Sequence, residues 1–255
     1  MSHDPLSFML AAAGINTMIF GRKVGAMANE PNAKIRRWAD LISEAEMQAY
    51  AKAKFGESIG LGENVALLNI DTTNNFVDPA YDMCAERDDG LVANFVRITE
   101  AFRRLGLPIY YSRRDDRSHP IKRGVWNLKL GTADTFQYTT DPNADAWPEA
   151  YAPREEDVVV LKNKPSPFFA TPLESWLRYQ GIDSLVVIGI STSGCVRAGV
   201  LDAFNHNFRV TVVEDCCGDR SPTAHRANLF DMDMKMADVE PLDVVLAELE
   251  CRPII

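Results

Sequence analysis

The sequence predicts a three-layer α/β/α domain built on a mostly parallel sheet of about six strands. From residue 65 onwards, short apolar runs alternate with segments that have helical periodicity, the order expected of β-α-β units. Runs such as LVVIGI at 185–190 are apolar almost throughout, which is typical of strands that helices cover on both faces. The 255 residues, 46% of them apolar, suffice for one such domain.

Periodicity and the turn residues between the apolar runs define the predicted elements. Residues 1–62 are interpreted as an N-terminal extension with one amphipathic helix over 33–55, and residues 63–255 as the α/β domain. Strands are predicted at 65–70, 108–112, 158–161, 185–190, 209–213 and 236–239. Helices are predicted at 91–105, 172–179, 194–205, 223–231 and 241–249. Residues 113–156 read as a long irregular region, and such loops are usually functional or packed at an interface.

Composition excludes several classes of protein. The net charge of −9 opposes nonspecific binding of nucleic acid and favours a small-molecule partner. The longest apolar stretch, residues 8–20, is interrupted by polar residues and is shorter than the roughly 18 residues of a membrane span. Because neither a basic segment nor a cleavage site flanks that stretch, we expect no signal peptide, no membrane partner and a cytoplasmic location.

Cysteine and histidine usage argues against disulfides and against a metal. The five cysteines are an odd number without CxxC spacing, so free thiols are expected. The four histidines form no HxxxH or DxH pair. The sequence therefore predicts no metal and no other cofactor.

Chemically capable side chains stand at the ends of three predicted strands: Asp71, Lys162 and, after the fourth strand, Cys195. Ligands bind at the carboxyl ends of parallel strands, so these side chains are expected to meet. An ammonium favours a thiolate and a carboxylate accepts its proton, a combination that describes an activated cysteine nucleophile. Taken singly, each residue has an ordinary interpretation as a cap, a solvated lysine or a packing cysteine. Their coincidence at three neighbouring strand ends favours the catalytic interpretation.

Three ordered segments carry a resemblance to a known family: LLNIDTTNNFVDP, LKNKPSPFFATPL and GISTSGCVRA with the following EDCCGDRS. In them the sequence resembles the isochorismatase-like cysteine hydrolases, and most closely the branch of N-carbamoylsarcosine amidase and of biuret and triuret hydrolases. The resemblance spans roughly residues 63–250 and leaves the N-terminal extension outside it.

The resemblance implies a catalytic triad of Asp71 as general base, Lys162 as cation and Cys195 as nucleophile. Lys164 competes for the cation's role. Lys162 is favoured because it ends the strand and stands four residues before Ser166, as the lysine does in the family. Lys162 is expected to lower the pKa of the thiol.

The resemblance also implies an oxyanion hole made by the backbone N–H groups of Ser191 and Cys195, and a cis peptide bond near Ile190–Ser191. The implied reaction is hydrolysis of an amide or ureido bond through a covalent thioester that releases ammonia.

Arg220 occupies the position at which the N-carbamoylsarcosine amidase branch binds a substrate carboxylate. It is read equally well as a surface arginine paired with Asp215 or Asp219. Asn75, Phe76 and Phe168 are expected to be substrate-binding walls of the pocket, although they also fit an ordinary core; Phe169 is read in the same way.

The segment YYSRRDDRSHP differs from the nicotinamidase branch, which binds a metal after its second strand. It contains Asp115, Asp116 and His119 but no Asp-x-His, so a metal is not expected. Its arginines, Arg113, Arg114 and Arg117, indicate either positive potential over the pocket mouth or a solvated charged face.

The predicted function is hydrolysis of a small N-carbamoyl or amide compound of the N-carbamoylsarcosine, biuret, triuret, ureidoacrylate or maleamate type, with a carboxylate or other polar end. The alternatives are a vinyl ether hydrolase of the isochorismatase type, which Cys195 disfavours, and a noncatalytic α/β binding protein. Because family members assemble, a homodimer or homotetramer is expected, and the helix of the extension is a candidate for packing on a neighbouring subunit.

Overall fold

The structure, a computed structural model, describes residues 30–85, 90–115, 120–122, 124–130 and 141–252. Its strands form one sheet in the order β3-β2-β1-β4-β5-β6, and every pairing between them is parallel. The strands are β1 (Val65–Ile70), β2 (Ile109–Arg114), β3 (Val158–Lys162), β4 (Ser184–Ile190), β5 (Arg209–Gly218) and β6 (Asp238–Glu240). This sheet confirms the predicted fold class.

The described helices lie before, between and after the strands. They are α1 (Ala33–Arg36), α2 (Glu44–Lys52), α3 (Asn74–Val77), α4 (Leu91–Arg104), α5 (Val125–Leu130), α6 (Leu173–Tyr179), α7 (Arg197–Asn205), α8 (Pro222–Lys235) and α9 (Leu242–Glu250). Short 3-10 helices cover Pro120–Lys122 and Glu149–Tyr151, and a π-helical turn covers Thr192–Val196.

Two apolar cores, one on each face of the sheet, make the three layers. Alternate residues of β1 point into opposite cores, with Leu68 in one and Leu67 in the other. Helices α1, α2, α6, α7 and α8 bury apolar residues in the first core, and α4 and α9 do so in the second. Coverage on both faces explains why β1 and β4 are buried at every position.

The N-terminal segment departs from its prediction in the number of its helices. The single helix expected over 33–55 is two helices, because Ser43 caps a new one through a capping box with Glu46. The segment packs on its own chain: Trp38 is fully buried in the first core, and its Nε1 donates a hydrogen bond to Asp233 Oδ2 at 2.8 Å. The described part of the segment is therefore anchored in the core of its own chain, and packing of its helix on a neighbouring subunit stays a prediction.

The region expected to be irregular, residues 113–156, contains several short elements. Helix α3, which follows β1, was not predicted either. Strand β5 extends five residues past its predicted end at Val213. The charged residues of the extension have tertiary partners: Glu214 pairs with Arg37, and Asp215 accepts a hydrogen bond from the backbone N–H of Leu242.

The strand order indicates which edge of the sheet carries the functional site. From β1 the chain proceeds to β2 and β3 on one side, and from β4 to β5 and β6 on the other. Strands β1 and β4 therefore flank the switch point, where parallel α/β sheets form a crevice at the carboxyl ends of their strands. Asp71 follows β1, and the turn that carries Cys195 follows β4.

None of the helices that the structure describes is long and apolar enough to cross a membrane.

Candidate active site

Asp71 directly follows β1 and is buried. Its backbone is in the left-handed region, with φ of 56°, a conformation that aspartate adopts more readily than most residues. Its Oδ2 accepts a hydrogen bond from Lys162 Nζ at 2.7 Å. Its Oδ1 is buried and accepts no hydrogen bond from the residues that the structure describes, so it remains available as a proton acceptor.

Lys162 is the last residue of β3, and its side chain is fully buried. Its ammonium contacts Asp71 Oδ2 at 2.7 Å, the Lys164 carbonyl at 3.3 Å and Cys195 Sγ at 3.4 Å. Burial lowers the pKa of Lys162, but the neighbouring Asp71 and Cys195 outweigh burial and raise it above its ordinary value of 10.5. Lys162 is thus a permanent cation between the other two groups.

Cys195 lies in the π-helical turn that follows β4. The approach to this turn requires Gly189, since a Cβ there would lie 2.1 Å from the carbonyl oxygen of Ile70. The peptide bond Ile190–Ser191 is cis, as the resemblance implied. The structure therefore brings Asp71, Lys162 and Cys195 together, although they are far apart in the chain.

The pKa of the Cys195 thiol is shifted in the direction opposite to the predicted one. Burial raises the pKa of Cys195 to about 12; the Lys162 ammonium lowers it and the Asp71 carboxylate raises it. The effect of Lys162 has the predicted sign, but burial is larger. Cys195 is thus a neutral thiol near pH 7, and it needs a base to remove its proton.

A set of hydrogen bonds that the sequence did not reveal holds the cysteine turn. Thr192 Oγ1 donates to the Gly218 carbonyl at 3.1 Å and lies 2.8 Å from His225 Nδ1. Asp219 Oδ2 accepts from the backbone N–H of Ser193 at 2.8 Å and from its hydroxyl at 2.7 Å. These contacts tie the turn to the end of β5, whose extension the sequence did not predict.

Asp71 and Cys195 border a cavity of about 150 Å³, and Lys162 lies behind them, outside its described lining. Its described lining is Asp71, Phe76, Met83, Arg114, Trp126, Pro165, Ser191, Ser193, Gly194, Cys195 and Arg220. Ser191 and Cys195, the predicted oxyanion-hole residues, both belong to this lining. Arg220 is exposed and donates to the Met83 carbonyl at 2.7 Å and to Ser191 Oγ at 2.9 Å.

Of the three predicted wall residues, the structure places Phe76 in the described lining and the other two elsewhere. Phe168 lies in the first core, where its ring stacks on His206 with 5.6 Å between centroids. Asn75 is fully buried, and its backbone N–H donates to the Ala144 carbonyl. Neither Phe168 nor Asn75 belongs to the described lining, and their role as pocket walls stays a prediction.

Two lining residues come from the region expected to be irregular. Arg114, at the end of β2, is 3% exposed, and its guanidinium lies 5.6 Å from the ring centroid of Trp126. Arg113 is not in the described lining: it pairs with Asp145 at 3.4 Å and lies over Trp147. Residues 116–119, which include Asp116, Arg117 and His119, lie outside the described residues.

Within the described ranges, no group of three or more histidine, cysteine, aspartate or glutamate side chains is arranged to hold a metal ion.

Comparison with known proteins shows the class. Residues 65–243 match the Isochorismatase domain, and the chain belongs to this family of α/β hydrolases.

Its relatives include amidases. N-carbamoylsarcosine amidase of Arthrobacter sp is 32% identical over 234 residues, which cover 88% of this chain and 86% of the relative. Maleamate amidohydrolase of Pseudomonas putida is 38% identical, covering 72% of this chain and 86% of the relative. The crystal structure of N-carbamoylsarcosine amidase from Thermoplasma acidophilum is 26% identical with a TM-score of 0.56, and covers 71% of this chain and 98% of that one.

Proposed function

We propose that the protein is a cysteine amidohydrolase that cleaves the C–N bond of a small linear amide or ureido compound and releases ammonia. The observation that carries this proposal is the position of Lys162 Nζ, 2.7 Å from Asp71 Oδ2 and 3.4 Å from Cys195 Sγ, beside a cavity that Asp71 and Cys195 line. The relatives named as amidases support the same reaction class.

The first half of the reaction forms a thioester. Asp71 takes the thiol proton on Oδ1, which other described residues leave free of hydrogen bonds, and Cys195 Sγ attacks the substrate carbonyl carbon. The charge that develops on the carbonyl oxygen is stabilised by the backbone N–H groups of Ser191 and Cys195. When the C–N bond breaks, Asp71 returns the proton to the nitrogen, and ammonia leaves.

The second half hydrolyses the thioester. Asp71 accepts a proton from water, the hydroxide attacks the carbonyl carbon, and the C–S bond breaks to release the acid and a thiolate. The proton on Asp71 then returns to Cys195. Lys162 remains charged throughout and stabilises the carboxylate and the transient thiolate in turn.

The cavity limits the size of the substrate. At about 150 Å³ it is smaller than the roughly 300–1,000 Å³ typical of sites for drug-sized ligands. Compounds of the N-carbamoylsarcosine, biuret, ureidoacrylate and maleamate type are small enough for such a site.

The proposal is tested by ammonia release from a panel of these compounds. Cys195→Ala should abolish the release, because the nucleophile is lost, and a thioester on Cys195 should be detected by mass spectrometry of protein quenched during turnover. Cys251→Ser is the matched control, because Cys251 is exposed; it should retain full activity. An alanine variant as active as the wild type would refute the covalent mechanism.

A further inference from the structure

The turn that carries Cys195 is bonded to one short segment, residues 218–220, at the end of β5. Three consecutive residues of this segment each contact one of three consecutive residues of the turn. The contacts are Thr192 Oγ1 donating to the Gly218 carbonyl at 3.1 Å, Ser193 donating to Asp219, and Arg220 donating to Ser191 Oγ at 2.9 Å. The position of the turn therefore depends on the end of β5.

Within this segment, Asp219 is the residue whose side chain bonds to the backbone of the turn. Its Oδ2 accepts the Ser193 N–H at 2.8 Å and the Ser193 hydroxyl at 2.7 Å, and its Oδ1 accepts the N–H of Ser221, the N-cap of α8, at 3.3 Å. Asp219 is 6% exposed, so water competes little for these bonds. Because bonds from N–H groups to a carboxylate are stronger than neutral ones, Asp219 is a firm link between the turn and α8.

A second cavity lies behind this contact. Its volume is about 340 Å³, and its described lining includes Asp219 and His225, whose Nδ1 is 2.8 Å from Thr192 Oγ1. Ser193 lines the reactive cavity instead, so the contact between Ser193 and Asp219 lies between two cavities. A cavity supplies no packing atoms. On that side the turn is therefore supported by its hydrogen bonds.

The position of Ser193 bears on the proposed oxyanion hole. Ser193 stands between Ser191 and Cys195, whose backbone N–H groups are the proposed donors. The turn is tight, because the Ser191 carbonyl accepts from the N–H groups of Gly194 at 2.9 Å and of Val196 at 3.2 Å. A shift of Ser193 is therefore passed to both donors. Such donors stabilise the transition state only when they are prepositioned, and a misplacement of about 1 Å can cost about 100-fold in rate.

We propose that Asp219 is a positioning residue for the oxyanion hole, which it acts on through the Ser193 N–H. The inference rests on the proposed amidohydrolase function and gives Asp219 no contact with the substrate. Its effect falls on the transition state, because the donors bind the oxygen most strongly when that oxygen is charged. Loss of Asp219 should therefore lower kcat and leave KM nearly unchanged.

Three variants of Asp219 test the inference by the rate of ammonia release. Asp219→Ala removes both bonds to Ser193 and should lower kcat by about 10- to 100-fold, with KM changed by less than about threefold. Asp219→Asn keeps an oxygen that can accept the Ser193 N–H, and its kcat should stay within about threefold of the wild type. Asp219→Glu keeps the charge but moves it by one methylene, so it should be less active than Asp219→Asn.

Asp215→Ala is the matched control, because Asp215 is an aspartate of the same strand and accepts the N–H of Leu242 at the start of α9 at 2.8 Å. It should leave kcat and KM unchanged. Hydrogen exchange followed by mass spectrometry gives a readout apart from activity. Peptide 189–197 should exchange at least about tenfold faster in Asp219→Ala and at the wild-type rate in Asp215→Ala. If Asp219→Ala does not fold, the order of Asp219→Asn and Asp219→Glu decides.

The inference is overturned if Asp219→Ala keeps kcat within about twofold of the wild type, or if its loss of activity falls on KM. It is also overturned if Asp219→Glu is more active than Asp219→Asn, or if exchange of peptide 189–197 is as slow in Asp219→Ala as in Asp215→Ala. Failure of the proposed function is read separately, as absence of ammonia release by the wild-type protein. Faster exchange in Asp219→Ala would then retain the positioning of the turn while the function is refuted.

Discussion

Replacing Lys162 by methionine tests the central electrostatic arrangement. The methionine retains most of the length of the side chain and removes the ammonium, so Asp71 loses its counter-ion. Both side chains are almost completely buried, with exposed fractions of 0% and 1%. Breaking a buried pair from one side leaves an uncompensated charge and costs about 3–5 kcal/mol, whereas an exposed pair would cost about 1 kcal/mol or less. We therefore expect Lys162→Met to lower the free energy of unfolding by about 3–5 kcal/mol.

Activity should fall with stability, because a buried carboxylate without a counter-ion is neutralised by taking up a proton and can no longer accept one from Cys195. Loss of one member of a concerted set costs on the order of 10³ in kcat or more. Adding Asp71→Asn to Lys162→Met removes the uncompensated charge, so the double variant should regain stability and remain inactive.

The measurements are urea denaturation followed by circular dichroism and the rate of ammonia release. Lys164→Met is the control, since Lys164 is the competing lysine two residues later and is only half-buried. It should lose less than about 1 kcal/mol. An ion pair of Lys162 with Asp71 that supports both folding and activity is refuted if Lys162→Met unfolds like the wild type, or if Lys164→Met is the variant that loses activity.

Two further predictions concern the thiol and the N-terminal segment. Because burial raises the pKa of Cys195 to about 12, the rate at which iodoacetamide alkylates Cys195 should rise by about tenfold per pH unit up to about pH 11. Mass spectrometry of the alkylated peptide measures this rate, and a rate that levels off below about pH 9 would contradict the prediction. Trp38→Phe removes the hydrogen bond to the buried Asp233 carboxylate and should lower the free energy of unfolding, measured by urea denaturation, by about 1.5–3 kcal/mol. The control Trp176→Phe, at a half-exposed position, should lower it by less than about 0.5 kcal/mol. Equal losses in the two variants would contradict a stabilising contact at Trp38.

The fold was predictable because the pattern of apolar residues in the sequence largely determines it. Apolar runs such as β4 need helices on both faces, and the alternation of runs and helices leaves few other topologies. Element ends were less predictable where charged residues have distant partners. Nothing local to Glu214 shows that Arg37 will pair with it, so the extension of β5 could not be inferred.

The meeting of Asp71, Lys162 and Cys195 followed from topology, because parallel strands bring their carboxyl ends to one edge. The walls of the cavity did not follow from it. Whether Phe168 faces the cavity or the core depends on the path of an irregular segment, and sequence periodicity does not describe such a path. Strand β2 was expected to end at Ser112, so the alternation that separates Arg113 from Arg114 could not be applied.

The charge of the whole chain and the charge of the cavity act over different distances. The net charge of −9 repels an anion approaching from solution, but salt screens exposed charges beyond about 8 Å at physiological ionic strength. A buried guanidinium such as Arg114 is screened much less, because water and ions are excluded around it. For a small polar substrate, affinity is therefore set mainly within the cavity, and the acidic surface acts mainly on the rate of encounter. The same exclusion of water raises the pKa of Cys195, so one property of the site both strengthens anion binding and makes the Asp71 base necessary.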